Sequence, residues 1–266
     1  MLIQNINPVI FEIANLPIVG TISLRYYGVL YALGIITAFL ICRSFFRKKN
    51  YPDEMFEKLI VYIVIGLILG AHFVHLIFYE PASIFNNPIR IIQLGKGLAS
   101  HGGLLGTLIA IYFFTKKRKL KFWEILDTIT IGGALMVPFI RLGNFFNSEI
   151  YGRVTDSPLG VIFKIRGETQ PRHPSQLYEM AVGIVIFLFL YFFYKKNYKK
   201  IKHGTIFYLF LITYFITRFL LEYVKEYQAV SASFPFTMGQ MLSVPLIIIG
   251  VYVFIKKKYY KLNPDV

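Results

Sequence analysis

The chain has 266 residues, of which 56% are hydrophobic, 17% aromatic and only 16% charged. That balance, with a strongly positive mean hydropathy, excludes soluble, disordered and disulfide-stapled classes and points to a polytopic membrane protein. The 29 Lys+Arg against 14 Asp+Glu leave a formal charge of +15, but the lysines gather between apolar runs. The anionic contact they imply is membrane lipid, with no nucleic acid as partner.

In chain order, Met1–Ser23 lacks the basic n-region of a cleavable signal, and Asn7-Pro8 and Leu16-Pro17 break any long helix. It reads as an interfacial segment on the outer face. A membrane-spanning helix needs about 20 residues at about 1.5 Å each. Seven stretches meet this: Leu24–Cys42, Phe56–Tyr79, Gly97–Thr115, Trp123–Phe145, Leu177–Tyr194, Thr205–Val224 and Met238–Ile255. None alternates with the period of two that a membrane barrel would need. Cys42, the single cysteine, ends the first stretch and is given a packing role.

The links after spans one, three, five and seven are rich in Lys and Arg, whereas those after two and six are not. Every second connection is basic, so the N-terminus lies outside and the C-terminus inside. The expected architecture is an all-α polytopic membrane protein of about seven transmembrane helices, one integral membrane domain over 1–266. A small external head, 146–176, is inserted between spans four and five, and its Val161-Ile162-Phe163-Lys164-Ile165 reads as a short strand. Gly66/Gly70 and Gly102/Gly106 have the spacing of closely packed helices.

An ionisable side chain at mid-depth costs at least about 2.5–3.5 kcal/mol, so such residues mark candidate sites. Glu124 and Asp127 sit one turn from a lysine cluster and balance it. His101, by contrast, lies about one turn below the outer surface, next to Gly102 and Gly103, whose missing side chains admit a substrate or another backbone. Histidine is the natural proton acceptor at neutral pH, although a hydrogen-bonded interhelical histidine reads as well. The fourth span reaches the outer face at Arg141, Asn144, Asn147 and Glu149; Arg141 and Asn144, three apart, share a helix face. An arginine fork there suits a phosphodiester, the competing reading being a helix end snorkelling to the interface. Arg218 and Glu222, four apart in the outer half of the sixth span, can pair as a structural ion pair or as a ligand clamp. Tyr27 enters the first span at the same depth, where an aromatic belt also explains it. His72 and His75 lack the carboxylate or thiol companions of a metal site, so no metal is assigned. Polar groups from four spans and a loop thus converge near the outer face, as a reaction centre or headgroup site would require.

The stretch Arg141-Leu142-Gly143-Asn144-Phe145-Phe146-Asn147-Ser148-Glu149-Ile150-Tyr151-Gly152 resembles the signature Gly-Arg-x-Gly-Asn-Phe-x-Asn-x-Glu-x-x-Gly of the prolipoprotein diacylglyceryl transferases of bacterial inner membranes. Arg25-Tyr26-Tyr27-Gly28, Ser100-His101-Gly102-Gly103 and His173-Pro174-Ser175-Gln176-Leu177-Tyr178-Glu179 are similar to further motifs of that family. So are Arg218-Phe219-Leu220-Leu221-Glu222 and Thr237-Met238-Gly239-Gln240, and the series keeps the family's order from residue 25 to 245. Three departures stand out. Ile140 replaces the signature's first glycine, His72 stands where an arginine is usual, and Lys225 stands where the family often has arginine.

The resemblance implies transfer of a diacylglyceryl group from phosphatidylglycerol to the lipobox cysteine in the signal peptide of a prolipoprotein. The products are a thioether and glycerol 1-phosphate, and no cofactor is implied. It further implies catalytic roles for His101, Arg141 and Glu149, and substrate binding by Tyr27, Gly102, Gly103, Asn144, Asn147, Glu179, Arg218 and Glu222. The base remains open among His101, Glu149 and no base at all, since a cationic site lowers a thiol's pKa unaided. A lipid transporter, a non-catalytic scaffold for signal peptides and a phospholipid hydrolase are the rival classes.

Overall fold

The computed structural model of the chain describes residues 2–16, 20–94, 97–226 and 236–259. Each predicted apolar stretch falls mostly in one helix: α1 (Tyr26–Lys48), α2 (Asp53–Tyr79), α4 (Ser100–Arg118), α5 (Phe122–Phe146), α6 (Ser175–Asn197), α7 (Thr205–Leu221) and α8 (Met238–Lys256). A short α3 (Pro81–Asn86) follows α2. Among the described residues, six helices are long and apolar enough to cross a membrane, which fits a multi-pass membrane protein. The 19-residue α4 falls short, because Ser100-His101-Gly102-Gly103 at one end and Lys116, Lys117 and Arg118 at the other dilute its apolar run. At α1 the helix outlasts the apolar stretch. Arg47 and Lys48 occupy its last turn, where cations suit the exposed carbonyls, and Arg43 and Arg47 both bond to Asp53 at the start of α2.

The expectation of an all-α chain is corrected at the N-terminus. Residues read as an interfacial segment form β1 (Leu2–Gln4), β2 (Val9–Leu16) and β3 (Gly20–Arg25). Proline at position 8 keeps the chain out of a helix, and Val9, Ile10, Ile13, Thr21 and Ile22 are β-branched and favour extension. Strands β2 and β3 form an antiparallel hairpin with Val9 opposite Arg25 and Glu12 opposite Ser23. Strand β1 pairs in parallel with β4 (Val161–Phe163), the short strand expected between spans four and five, which passes into a 3-10 turn at Lys164.

The chain falls into two compact units, Met1–Cys42 with Ile129–Val266, and Arg43–Thr128. In the larger, α6 packs on α7 and α7 on α8. A Cβ at Gly34 would meet Met136 and Phe139 at 3.1 Å, and one at Gly132 would meet Cys42 Sγ at 2.7 Å, so α1 and α5 lie close and Cys42 fills the contact. Helix α8 opens with a capping box: Gln240 N donates to Thr237 Oγ1 and Thr237 N to Gln240 Oε1, at 3.2 and 3.1 Å. In the smaller unit, α2 and α4 touch backbone to backbone, since a Cβ on Gly66, Gly70, Gly102 or Gly106 would overlap a carbonyl of the facing glycine. Half-buried Lys49 lies 3.3 Å from Glu124, and the Tyr51 hydroxyl donates to the same carboxylate, so the lysine paired with Glu124 here comes from the link after α1 and not from the adjacent 116–121 cluster.

Candidate active site

The site is built where α5 ends. Asn147 N, Ser148 N and Glu149 N donate back to the carbonyls of Gly143, Phe145 and Asn144, so the chain curls against its own helix. Ser148 and Ile150 accordingly have positive φ, at 50° and 58°, a conformation that a β-branched residue rarely adopts. Strain of this kind persists where surrounding bonds over-determine it. Here they do: Arg166 Nε donates to Ser148 O at 3.0 Å, Gln176 Nε2 to Glu149 O and Ser175 Oγ to Ile150 O, both at 2.7 Å. Buried Gln4 on β1 donates to Phe145 O at 3.3 Å, beneath a small core of Phe145, Val161 and Phe163.

The curl turns the Glu149 carboxylate onto two amides. Asn144 Nδ2 donates to its Oε1 at 2.8 Å and Asn147 Nδ2 at 3.2 Å. Asn144 Oδ1 in turn accepts from Arg141 Nη1 at 3.4 Å, so Arg141, Asn144 and Glu149 form one relay, as the three-residue spacing suggested. Tyr27 packs against Gly143, where a Cβ would come within 2.7 Å of its ring.

Glu179, in the second turn of α6, is the hub of the positive groups. Its Oε2 lies 2.9 Å from Arg141 Nε, and its Oε1 lies 2.7 Å from Lys225 Nζ and 3.8 Å from Arg218 Nη1. The Arg141 contact is a close charge pairing without hydrogen-bond geometry, because Oε2 has no hydrogen-bond donor. Burial pushes the Lys225 ammonium below its ordinary range, although Glu179 opposes the shift. Removing one member of a buried ion pair typically costs about 3–5 kcal/mol, so these charges hold one another in place.

Arg141, Glu179 and Arg218 line a cavity of ≈ 10 Å³, room for at most one water. An apolar groove of ≈ 450 Å³ between α6 and α7 shares Val182, Ile186 and Thr217 with that cavity.

The expected pairing of Arg218 with Glu222 is not formed. The α-helix stops at Leu221, and Glu222 begins a 3-10 turn that buries its carboxylate against Gly239, where a Cβ would lie 2.5 Å away. Arg218 points instead to Glu179, a hub that spacing within α7 has no means of revealing. Ser175, Gln176, Arg166 and Lys225 were not assigned site roles from sequence. Ser175 and Gln176 do stand in the His173–Glu179 motif, and that proximity to Glu179 was the available signal.

His101, Gly102 and Gly103 belong to the smaller unit, in the first turn of α4. His101 is exposed. Gly102 is spent on helix packing: a Cβ there would strike the Gly70 carbonyl, so of the two readings of this glycine the second backbone holds. A Cβ on Gly103 would make only ordinary contact with Leu67 at 3.6 Å. His72 is fully buried, with Nε2 3.0 Å from Ile91 O, while His75 lies 3.1 Å from Glu80, which also accepts from Arg90 at 2.9 Å. Both histidines therefore fasten the connection between α2 and α4.

Residues 13–256 match the family model described as prolipoprotein diacylglyceryl transferase. A phosphatidylglycerol–prolipoprotein diacylglyceryl transferase of Bacteroides fragilis is 37% identical over 262 residues, covering 93% of this chain and 92% of that one. Those of Tolumonas auensis and Chloroherpeton thalassium are 39% identical over 254 residues and 40% over 235, covering 94% and 87% of this chain and 95% and 87% of their own. The match takes in every residue of the cluster around Glu179 and of the relay to Glu149, and the chain belongs to the prolipoprotein diacylglyceryl transferase family.

Proposed function

We propose that the chain transfers the diacylglyceryl group of phosphatidylglycerol to the lipobox cysteine of a prolipoprotein signal peptide. The observation that carries this reading is the assembly of Arg141, Arg218 and Lys225 around Glu179, next to a carboxylate held by two asparagine amides, in a chain of this family. In the reaction the acceptor thiol loses its proton and its sulfur attacks the glycerol carbon that carries the phosphate. The carbon–sulfur bond forms, the carbon–oxygen bond breaks, and glycerol 1-phosphate leaves with the electron pair. Phosphate charge grows as that bond breaks, so an arginine beside it binds the transition state more strongly than the ground state. We assign that work to Arg141, with Arg218 as the looser second cation, and orientation of Arg141 to Asn144, Asn147 and Glu149. Apolar groove and cations lie side by side, as a phospholipid with two tails and one phosphate requires.

The reading includes seven spans, with α4 as the third, an external N-terminus, an internal C-terminus and the 146–176 segment outside. The alternation of basic connections supports it, as does the backbone-close packing of α4 on α2. The address is then the bacterial inner membrane, with the site toward its outer face. His101 is the candidate base, on the strength of its exposure and of its place in the Ser100-His101-Gly102-Gly103 motif.

The test uses purified protein in detergent with phosphatidylglycerol and a synthetic lipobox peptide, followed by mass spectrometry. A diacylglyceryl mass gain that disappears with a Cys→Ser peptide, accompanied by glycerol phosphate, is the expected result. Glycerol phosphate released without peptide would instead identify a hydrolase. His101→Gln is expected to lower turnover on the order of 10²-fold, within the range for loss of a general base, and near-normal turnover would remove His101 from that role.

A further inference from the structure

Lys225 lies three residues beyond Glu222, and its side chain is only 9% exposed. Its ammonium is spent on Glu179 Oε1 at 2.7 Å, whereas Arg218, 3.8 Å from the same oxygen and 29% exposed, remains the cation with a hand free. The main chain of Lys225 is held as closely as its side chain. Its carbonyl accepts from Arg153 Nε at 2.7 Å, Arg153 N donates to Val224 O at 3.0 Å, and Lys225 bridges Gly152 in antiparallel sense. Only glycine fits at 152, because a Cβ would overlap the Val224 carbonyl.

The same segment, 149–153, is gripped from its other side by Gln176 and Ser175 of α6, and Glu179 follows Gln176 on that helix within one turn. The bonds close a ring. It runs from Glu179 along α6 to Ser175 and Gln176, across to Glu149 and Ile150, along the chain to Gly152 and Arg153, across to Val224 and Lys225, and back to Glu179. The Lys225–Glu179 ion pair is the link that shuts it. Two groups hang on this ring: Arg141, through Oε2 of Glu179, and the Glu149 carboxylate, through the segment itself.

We propose that Lys225 is a positioning residue for the transfer reaction: through Glu179 it fixes Arg141, and through Gly152 and Arg153 it fixes the segment that presents Glu149. This rests on the transferase reading above and gives Glu179 a partner within the protein rather than a bond to substrate. A misplacement of about 1 Å at a reacting group costs on the order of 10²-fold in rate, so the ring matters without touching the lipid.

The experiment compares Lys225→Met and Lys225→Arg in the peptide assay and by hydrogen exchange at the Arg153 amide, which donates to Val224 O. Lys225→Met is expected to lose about tenfold or more in kcat, with KM for phosphatidylglycerol and inhibition by glycerol phosphate both within about threefold of wild type. Its Arg153 amide should exchange faster. Lys225→Arg keeps the charge and should restore both turnover and protection. Should Lys225→Met fail to fold, Lys225→Gln is read by the same measures. If the neutral variant instead weakens phosphatidylglycerol and glycerol phosphate about tenfold at unchanged kcat, Lys225 is a phosphate ligand and the proposal falls. Unchanged turnover with unchanged exchange also overturns it. A wild-type protein that transfers nothing would defeat the transferase reading alone, because the exchange comparison still decides whether Lys225 closes the ring.

Discussion

Glu149 and Arg141 have opposite charges and do not bond to each other directly. Asn144, buried between them, accepts from the guanidinium with one end of its amide and donates to the carboxylate with the other. Leucine at this position has similar bulk and neither function. Asn144→Leu is therefore expected to leave the protein folded and to lower kcat/KM on the order of 10²-fold, measured in the peptide assay; a loss of less than about threefold would remove Asn144 from the relay. These three residues were legible in the sequence because they lie within nine positions at a helix end. Glu179 stood out as an ionisable residue at a span's end, but its role was given only by resemblance. Its partners sit on three separate segments, and nothing local in sequence foretells which cations will meet it.

Helix existence was legible throughout, since about 20 apolar residues admit few alternatives in lipid. Helix ends were less so: Arg43 to Lys48 stop the apolar pattern without stopping the helix. The glycine spacing on α2 and α4 also predicted close helix packing, though not that the two helices pack on each other, and it yields a test. Gly106→Ala is expected to destabilise by about 1–3 kcal/mol, seen as a lower melting temperature in detergent, because its methyl must displace the Gly66 carbonyl. Gly133→Ala, whose Cβ would meet nothing within 4 Å among the described residues, should be neutral or better. The short β4 segment depends on charge as well as packing. Burial raises the Glu168 carboxyl pKa, but hydrogen bonds from Arg172 and Tyr151, at 2.7 and 2.8 Å, outweigh it and hold the carboxyl below its usual range. A carboxyl depressed in the folded state adds stability above its unfolded pKa of about 4.3 and loses it as pH falls through the folded value. Hydrogen exchange over 151–172 should therefore quicken in acid below about pH 4. Glu168→Gln should abolish that step.

For the whole molecule the sequence spoke most clearly about charge and least clearly about the N-terminal strands. Three-residue β1 has no hydrophobic period long enough to read, and its partner β4 lies more than 150 residues away. Orientation is open to a direct check, made easier because Cys42 is buried against Gly132. On intact cells, a membrane-impermeant maleimide should label Asp156→Cys and spare Lys199→Cys; the reverse pattern would invert the proposed orientation.

The closure at Lys225 also sets a timetable for biogenesis. Arg141, Glu179, Arg218 and Lys225 leave the ribosome in that order, and their pairing with Glu179 is complete only when the last arrives. A nascent chain halted between residues 197 and 218 already holds α5 and α6, yet its buried carboxylate has Arg141 as its one counter-ion from this group. The proposed site is assembled near the end of translation, so a premature stop shortly before codon 225 leaves most of the helices made and the proposed reaction centre unmade, a fragment suited to the proteases that clear unfinished membrane proteins.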